Sequence, residues 1–339
     1  MHQVLVNKFG GVEQLQVIPL PDPEPGPGEV VVRLTSIGMN HADLMARRGE
    51  YRLTSGNPPF TPGLEGGGVI VAVGTAVSDR TVGQRVILTL DGPKLRGPGQ
   101  GTYQSHYVLP AAHTIPAPPQ IEDVLLGALW LPYLTAWGCL VWRQNLQPGQ
   151  WVLIPAASSS VAIAAAQVVK QCGAISVGTT RNPAKLEQLQ AMPEACFDYL
   201  ICTDQDSWWR QGKKLTAGRG FDVIFDPVAA GSFLNQEIRL LAPGGTLWIY
   251  GLLGQPDVVD VTPLIRKRAA LRGWLVNELV EGGMATTAYT HVLNRVADST
   301  YQLPVAGTFS LGEVRQAHIT LEKGGHIGKL ILVPASISP

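Results

Sequence analysis

Alternating strands and helices in the second half of the chain constrain the fold more than any other feature of the sequence. The alternation begins at Gln150 and continues to about Val258. The predicted strands are Trp151–Ile154, Ile175–Thr179, Phe221–Asp226 and Thr246–Tyr250, and the predicted helices are Ser159–Cys172, Pro183–Ala191 and Ser232–Leu240. Alternation at this pitch is typical of βαβ units, which form a parallel, doubly wound sheet.

The first 110 residues follow a different pattern, in which short runs of Val, Ile and Leu are separated by Pro/Gly clusters. The predicted strands are Val4–Phe9, Leu15–Pro19, Val30–Ser36, Gly68–Val73, Gln84–Leu90 and Tyr103–Leu109. Short strands at this spacing are typical of an antiparallel, barrel-like domain.

With 339 residues, the chain is too long for one ordinary domain and fits two. Residues 121–147 are predicted to be helical, and the pattern after Val258 is mixed. Two helices, Thr286–Ala297 and Leu311–Lys323, and a last strand, Lys329–Val333, are predicted there. We therefore predict a β domain of residues 1–124, completed by residues 259–339, and a nucleotide-binding domain of residues 125–258.

Composition excludes several classes of function. Lys plus Arg and Asp plus Glu number 26 each, so no net charge attracts nucleic acid or an anionic membrane. No apolar stretch reaches the roughly 20 residues that span a bilayer. Residues 1–7 lack the layout of a signal peptide, and the four cysteines are too scattered for a disulfide framework. A cytoplasmic protein is expected.

The segment 155–162 has the properties of a nucleotide-binding turn, because it joins a strand to a helix through small residues. Ala156, Ser159 and Ala162 occupy the positions where glycines are usual. The candidate cofactor-binding residues are Ala157, Ser158, Ser159, Ser160 and Val161. The alternative is an ordinary strand–helix turn with a serine cap.

The second strand ends in Gly178-Thr-Thr-Arg181, where an NAD enzyme would carry an acidic residue. Thr180, Arg181 and Lys185 could instead bind a 2′-phosphate, which favours NADP(H) over NAD. The alternative is a solvated helix start. Pro227, Val228, Tyr250 and Gly251 follow two further strands and are predicted to border the nicotinamide, since ligands bind beyond the carboxyl ends of such strands.

Several motifs, taken in order, resemble the medium-chain dehydrogenase/reductase superfamily. They are Asn40-His-Ala-Asp43, Pro62-Gly-Leu-Glu-Gly-Gly-Gly-Val69, Val82-Gly-Gln-Arg-Val86, Leu134-Thr-Ala-Trp137, Pro243-Gly-Gly-Thr-Leu and Ile327-Gly-Lys329. The resemblance is closer to the quinone oxidoreductases than to the zinc enzymes. It implies an α/β protein with a GroES-like β-barrel catalytic domain, a Rossmann domain and a homodimer formed through Rossmann edge strands.

The zinc ligands of the superfamily are missing at the matching positions. These positions read Asn40, Leu64 and approximately Leu131, and no cysteine precedes Cys139. Three protein ligands are needed for catalytic zinc, so we predict no metal. Hydride transfer from NADPH to a small hydrophobic quinone or an α,β-unsaturated carbonyl compound is then the expected reaction. The alternatives are a zinc-type alcohol dehydrogenase and a non-catalytic NADPH-binding protein.

The resemblance also implies roles for individual residues. Asn40, Asp43 and Tyr51 are the catalytic candidates, and Thr135 and Lys329 are expected near the cofactor. Each has a structural alternative: helix capping for Asn40 and Asp43, packing for Tyr51, a helix hydroxyl for Thr135 and a strand anchor for Lys329. Glu65 is expected to be structural.

Overall fold

In a computed structural model of the protein, residues 1–51, 56–205, 207–255 and 257–334 are described. Over these residues the elements, in chain order, are β1 (His2–Val6), β2 (Leu15–Pro19), β3 (Glu29–Gly38), α1 (His41–Arg48), β4 (Gly67–Val73), β5 (Arg85–Leu88), β6 (His106–Pro110), β7 (Thr114–Pro116), α2 (Trp130–Trp137), β8 (Trp151–Ile154), α3 (Ser160–Gln171), β9 (Ile175–Thr180), α4 (Pro183–Ala191), β10 (Tyr199–Cys202), α5 (Trp209–Leu215), β11 (Phe221–Asp226), α6 (Gly231–Leu240), β12 (Leu241–Ile249), α7 (Thr262–Lys267), β13 (Ala270–Gly273), α8 (Glu278–Glu281), α9 (Ala285–Ala297), β14 (Val305–Ser310), α10 (Val314–Lys323) and β15 (Lys329–Val333).

The chain forms two compact units. The first comprises Met1–Trp130, Leu293–Asp298 and Val305–Pro339, and the second comprises Leu131–Val292 and Ser299–Pro304. The end of the chain therefore returns to the unit in which the chain begins.

The first unit is built on a sheet with the strand order β14-β15-β3-β4-β5-β7, to which β6 adds by pairing with β3. Except for the parallel pair β14–β15, the strands are antiparallel. Val30, Val32 and Leu34 lie two residues apart on β3 and belong to the hydrophobic core of this unit. On the other face Arg33 is exposed but Val31 is buried, so one face of the strand packs on the core and the other is partly covered.

The second unit is built on a parallel sheet with the strand order β10-β9-β8-β11-β12-β13. The chain runs outward from β8 through β9 to β10, and then resumes on the other side with β11. This reversal creates a crevice at the carboxyl ends of β8 and β11, where open α/β sheets bind ligands. The predicted fold class, a GroES-like domain with a Rossmann-type parallel sheet, is confirmed.

The prediction that residues 121–147 are helical is confirmed for residues 123–125 and 130–143 only. A short 3₁₀ turn, Asp123–Leu125, is followed by α2 and then by a π-helix, Gly138–Arg143. Pro132 stands in the first turn of α2, where its missing N–H group is tolerated. The apolar composition of this segment is high throughout, so its periodicity did not reveal the breaks.

Candidate functional site

The turn after β8 has a constrained backbone. Ala156 adopts a φ of 53°, in the left-handed region that residues with a Cβ rarely occupy. The next residue, Ala157, donates its N–H to the carbonyl of Thr179, at 2.8 Å. This bond ties the turn to β9, the neighbouring strand, so that the turn has a fixed position at the carboxyl edge of the sheet.

Helix α3 begins directly after this turn. Ser159 is its N-cap, and its Oγ accepts a hydrogen bond from the Ala162 N–H at 3.2 Å. The capping alternative for Ser159 is therefore realised. Ser160 and Val161 form the first turn of a 12-residue helix, whose N-terminal end carries a partial positive charge and N–H groups suited to a phosphate.

Lys185, in the first turn of α4, contacts the turn after β8. Its Nζ lies 3.0 Å from the Oγ of Ser158, and the residue is only 8% exposed. Burial, followed by repulsion from Arg181, lowers the pKa of Lys185 below its ordinary value. An anion bound here would offset both effects, because it would stabilise the charged ammonium group.

Two neighbours of Lys185 complete this corner. Arg181 is exposed directly after β9, and the Oγ1 of Thr180 accepts the N–H of Asn182 at 3.3 Å. Asn182 in turn caps α4 through the N–H of Ala184. Two predicted cofactor-binding residues, Ser158 and Lys185, are thus in contact, while Thr180 and Arg181 stand at and just after the end of β9.

The loops after β11 and β12 are hydrogen-bonded to each other. Pro227 accepts the N–H of Leu253 at 2.9 Å, and Val228 accepts the N–H of Gly254 at 3.0 Å. A Cβ on Gly251 would lie 3.0 Å from the carbonyl oxygen of Pro227. Gly251 is thus a position of close approach, and the partner is the neighbouring loop.

Tyr250 and Thr135 have well-defined surroundings in the second unit. The ring of Tyr250 stacks on Phe225 with 4.0 Å between centroids, and burial raises the pKa of its hydroxyl well above the ordinary value. Thr135 is 7% exposed in α2, and its carbonyl accepts the indole N–H of Trp274 at 2.9 Å. Both therefore present neutral polar groups at neutral pH.

In the first unit, Asn40, Glu65 and Lys329 form a buried network. The ammonium group of Lys329 donates to Asn40 Oδ1 at 2.7 Å and forms an ion pair with Glu65, and both charged residues are 1% exposed. The Asn40 amide donates to Glu65 Oε1 at 3.0 Å and to the carbonyl of Gly38 at 3.2 Å. Glu65 is therefore held by two side chains, those of Lys329 and Asn40, and its structural role stays a prediction.

Asp43 is fully buried beside this network. Its carboxylate accepts the N–H of Asn40 at 2.9 Å, the N–H of Gly63 at 3.0 Å and the hydroxyl of Tyr103 at 3.3 Å. Burial raises the pKa of Asp43 to about 7, opposed by these hydrogen bonds and by the charge of Lys329. Asn40 and Asp43 therefore form the expected capping arrangement at the start of α1. Tyr103 is a hydrogen-bond partner of Asp43 that the sequence did not predict.

Tyr51 is half-buried and packs against the hydrophobic core of the first unit, as does Leu64. Within the described parts of the chain, no group of three or more His, Cys, Asp or Glu side chains is arranged to hold a metal ion. No helix among those residues has the length and apolar character needed to cross a membrane.

Two family models match the chain. An alcohol dehydrogenase GroES-like domain matches residues 26–119, and a zinc-binding dehydrogenase domain matches residues 160–296. The rat synaptic vesicle membrane protein VAT-1 homolog is 30% identical, over 98% of this chain and 83% of its own. A 2-haloacrylate reductase from a Burkholderia species is 29% identical over 97% and 98% of the two chains, and the quinone oxidoreductase of Lama guanicoe is 29% identical over 98% and 97%.

Solved structures agree with these relatives along the whole chain. An NAD-dependent alcohol dehydrogenase has a TM-score of 0.87 at 28% identity, over 98% of this chain and 99% of its own. A mycobacterial protein solved in complex with NADPH has a TM-score of 0.86 at 25% identity, over 98% of this chain and 100% of its own.

Proposed function

The chain belongs to the medium-chain dehydrogenase/reductase superfamily, in its quinone oxidoreductase-like branch, and from this premise we propose that it is an NADPH-dependent, zinc-independent reductase. The proposed acceptors are small hydrophobic quinones and α,β-unsaturated carbonyl compounds. One observation carries the proposal: the 3.0 Å contact of Lys185 Nζ with Ser158 Oγ, which joins the cofactor turn to the first turn of α4, the helix that follows β9.

The preference for NADPH follows from the charges at this corner. A 2′-phosphate carries roughly −1.5 to −2 charges at neutral pH. Lys185 and Arg181 would bind it as cations, and Thr180 and Ser158 would donate hydroxyl hydrogen bonds. A mycobacterial relative solved with NADPH supports this preference. Another structural relative is named as NAD-dependent, so NADH is the cofactor against which NADPH has to be compared.

The chain's own residues would bind and orient the cofactor. The N-terminal turn of α3, with Ala157, Ser159, Ser160 and Val161, would hold the pyrophosphate. The paired loops with Pro227, Val228, Tyr250 and Gly251, together with Thr135, would position the nicotinamide and exclude water. Lys329 is proposed as a cofactor residue on the family resemblance alone. When bound, the nicotinamide group supplies a hydride to the acceptor.

The residues at the zinc positions do not fit a metal. The amide of Asn40 is bonded to Lys329 and Glu65, and Leu64 offers no ligand atom. The proposed acceptors suit such a site, because the hydride gives a delocalised anion that needs little electrophilic help. In this proposal Asn40 and Tyr51 would face the acceptor, with Tyr51 as a proton donor, while Asp43 would position Asn40 through its backbone N–H.

The proposal is tested by mixing chelator-treated protein with NADPH or NADH and following the loss of reduced-nicotinamide absorbance. The acceptors are ortho- and para-quinones, enones, enals and simple aldehydes. Rapid consumption of NADPH with quinones or enones, and slow consumption of NADH, is expected.

Two results would contradict the proposal. Activity that requires added zinc, with simple alcohols or aldehydes, would identify a zinc-type alcohol dehydrogenase. This outcome is tested because one of the matching family models describes a zinc-binding dehydrogenase. Tight NADPH binding without turnover of any acceptor would identify a non-catalytic binding protein.

A further inference from the structure

Two carboxyl groups are buried next to each other in the second unit, outside the residues discussed so far as a site. Asp226 ends β11 and Glu237 lies in α6, and both side chains are 0% exposed. Among the residues that the structure describes, neither forms an ion pair with Lys, Arg or His. Two neighbouring buried carboxylates without a cation cannot both be ionised, so the pair must hold a proton.

Hydrogen bonds decide which carboxyl carries that proton. Asp226 Oδ1 accepts the N–H of Val228 at 2.6 Å, and Oδ2 accepts the N–H of Ala229 at 2.7 Å. Neither oxygen of Glu237 has a hydrogen-bond donor among the described residues. The Glu237 and Asp226 carboxyl groups interact with each other, and they can share a hydrogen bond only when one of them is protonated. Backbone N–H donors stabilise an anion, so Asp226 is the carboxylate and Glu237 is the acid.

The anion at Asp226 matters for the loop that follows β11. Residues 227–230 begin with Pro227, and Ala229 is held at a φ of 48° in the left-handed region. The two N–H bonds to Asp226 are strongest when both carboxylate oxygens are charged, and protonation of Asp226 would weaken the bond to the protonated oxygen. The same loop bonds the loop after β12 through Pro227 and Val228, so its loosening would extend to both loops.

We propose that Glu237 is a positioning residue for the cofactor site, which donates its proton to Asp226 and thereby keeps the loop 227–230 closed on that carboxylate. The proposal rests on the proposed function in one respect, since the loop is expected to border the nicotinamide. Burial, with repulsion from Asp226, raises the pKa of Glu237 well above its ordinary value, which agrees with a protonated acid. The other titratable group that senses Asp226 is the buried hydroxyl of Tyr250, which is neutral.

The first test is infrared spectroscopy of the protein without cofactor. The wild-type spectrum minus that of Glu237→Gln should contain the carbonyl stretch of a buried protonated carboxylic acid. The band of the buried Asp43 is common to both proteins and cancels in this difference. Glu187→Gln, a change at an exposed residue of α4, is the matched control, and its difference from wild type should contain no such band. A wild-type minus Glu237→Gln difference without the band would overturn the proposal.

The second test compares loop closure in two variants. Glu237→Leu removes the donor within an apolar surrounding of Leu234 and Ile238, while Glu237→Gln keeps a donor. Hydrogen exchange of the peptide covering residues 227–231 should be about tenfold faster in Glu237→Leu, as expected for the loss of one hydrogen bond, and close to wild type in Glu237→Gln. Unchanged exchange in Glu237→Leu, or equal acceleration in both variants, would overturn the proposal.

The cofactor measurement separates this proposal from the proposed function. Glu237→Leu should raise the NADPH KM with little change in kcat, and Glu237→Gln should restore the KM. If the wild type binds no NADPH, the proposed function fails, and the exchange and infrared results still decide the role of Glu237.

Discussion

Three alanines, Ala156, Ala217 and Ala229, have a left-handed backbone that favours glycine, and two of them follow strands of the parallel sheet. Ala156 and Ala229 have φ values of 53° and 48°, each in a loop that leaves the carboxyl end of a strand. Left-handed geometry costs a residue with a Cβ about 1–2 kcal/mol. Strain of this kind is retained where the surrounding structure fixes it, and it concentrates at functional sites. Both positions lie in segments that the sequence assigned to the cofactor.

The contact of Lys185 with Ser158 predicts a selective effect on cofactor binding. In Lys185→Met, the dissociation constant for NADPH should rise about ten- to a hundredfold, since one or two charge-assisted hydrogen bonds to the 2′-phosphate are lost. The constant for NADH, which lacks this phosphate, should change little. Titration of cofactor fluorescence measures both constants. Lys214→Met, at an exposed residue of α5, is the control, and equal weakening of both cofactors would contradict the assignment.

The acid pair predicts how stability depends on pH. Burial raises the pKa of Asp226 to about 6 and that of Glu237 well above its ordinary value. The folded protein therefore keeps protons that the unfolded chain releases above about pH 4.5, and stability falls as the pH rises from there. The Glu237→Gln variant lacks one of these titrating groups and should lose less stability as the pH rises. The free energy of unfolding of the variant minus that of the wild type should therefore increase from pH 5 to pH 8.

Urea unfolding at pH 5 and pH 8 measures this change, which cannot exceed about 1.4 kcal/mol per pH unit for one proton. The buried Asp43, whose pKa is raised to about 7, contributes equally to both proteins and cancels. A difference between variant and wild type that is the same at both pH values would show that Glu237 does not hold the proton.

At the scale of elements, the sequence predicted the central strands and missed the edges. β8, β11, α4 and β15 have the predicted bounds, because buried strands and capped helices carry continuous apolar runs or clear start signals. The edge strands β10 and β13 were not predicted. Each has four residues, too few to establish a period, and β13 contains Arg272 and a terminal Gly273. Packing against one neighbour, rather than local pattern, makes these segments strands.

The ion pair of Lys329 with Glu65 joins the start of β15 to the approach of β4 and, through Asn40, to the cap of α1. Lys329→Met alone should destabilise the protein by about 3–5 kcal/mol, because it leaves a buried charge without its partner. Adding Glu65→Gln should recover most of this loss. Denaturant unfolding of both single variants and the double variant measures the coupling.

A matched control is available on the preceding helix. Lys323→Met replaces an exposed lysine at the end of α10 and should change stability by less than about 0.5 kcal/mol. If Lys329→Met and the double variant Lys329→Met/Glu65→Gln are equally unstable, the ion pair of Lys329 with Glu65 does not account for the loss of stability.

At the scale of the whole molecule, the division of the chain limited what the sequence could predict about the site. Ser158 and Lys185 lie 27 residues apart, on either side of β9, so a known motif spacing indicated the region of both. Asn40 and Lys329 lie 289 residues apart. The sequence predicted that the end of the chain returns to the first domain, but no local pattern specifies which side chains this return brings into contact. The same holds for Glu237, whose burial beside Asp226 follows from helix packing.

The edge of the parallel sheet predicts a homodimer. β13 pairs with β12 and ends the strand order among the described residues, so its outer N–H and C=O groups are available to another strand. Apolar side chains are exposed nearby, with Ile265 at 76% and Val261 at 55%. A second copy could add its own β13 in an isologous interface and cover this surface. Light scattering at micromolar concentration should then give twice the mass of the 36.3 kDa chain.

Substitution on this surface tests the interface directly. Ile265→Glu should shift the protein to the monomer, because a charge would be buried in each half of the interface without a partner. Val82→Glu is the matched control, since Val82 is also exposed, at 62%, but lies in the first unit; it should leave the dimer intact. A wild-type monomer, or a dimer that both variants preserve, would exclude β13 and its neighbours as the interface. In the expected case, the dimer would leave the crevice at the carboxyl ends of β8 and β11 open to the cofactor, because β13 lies at the far edge of the sheet.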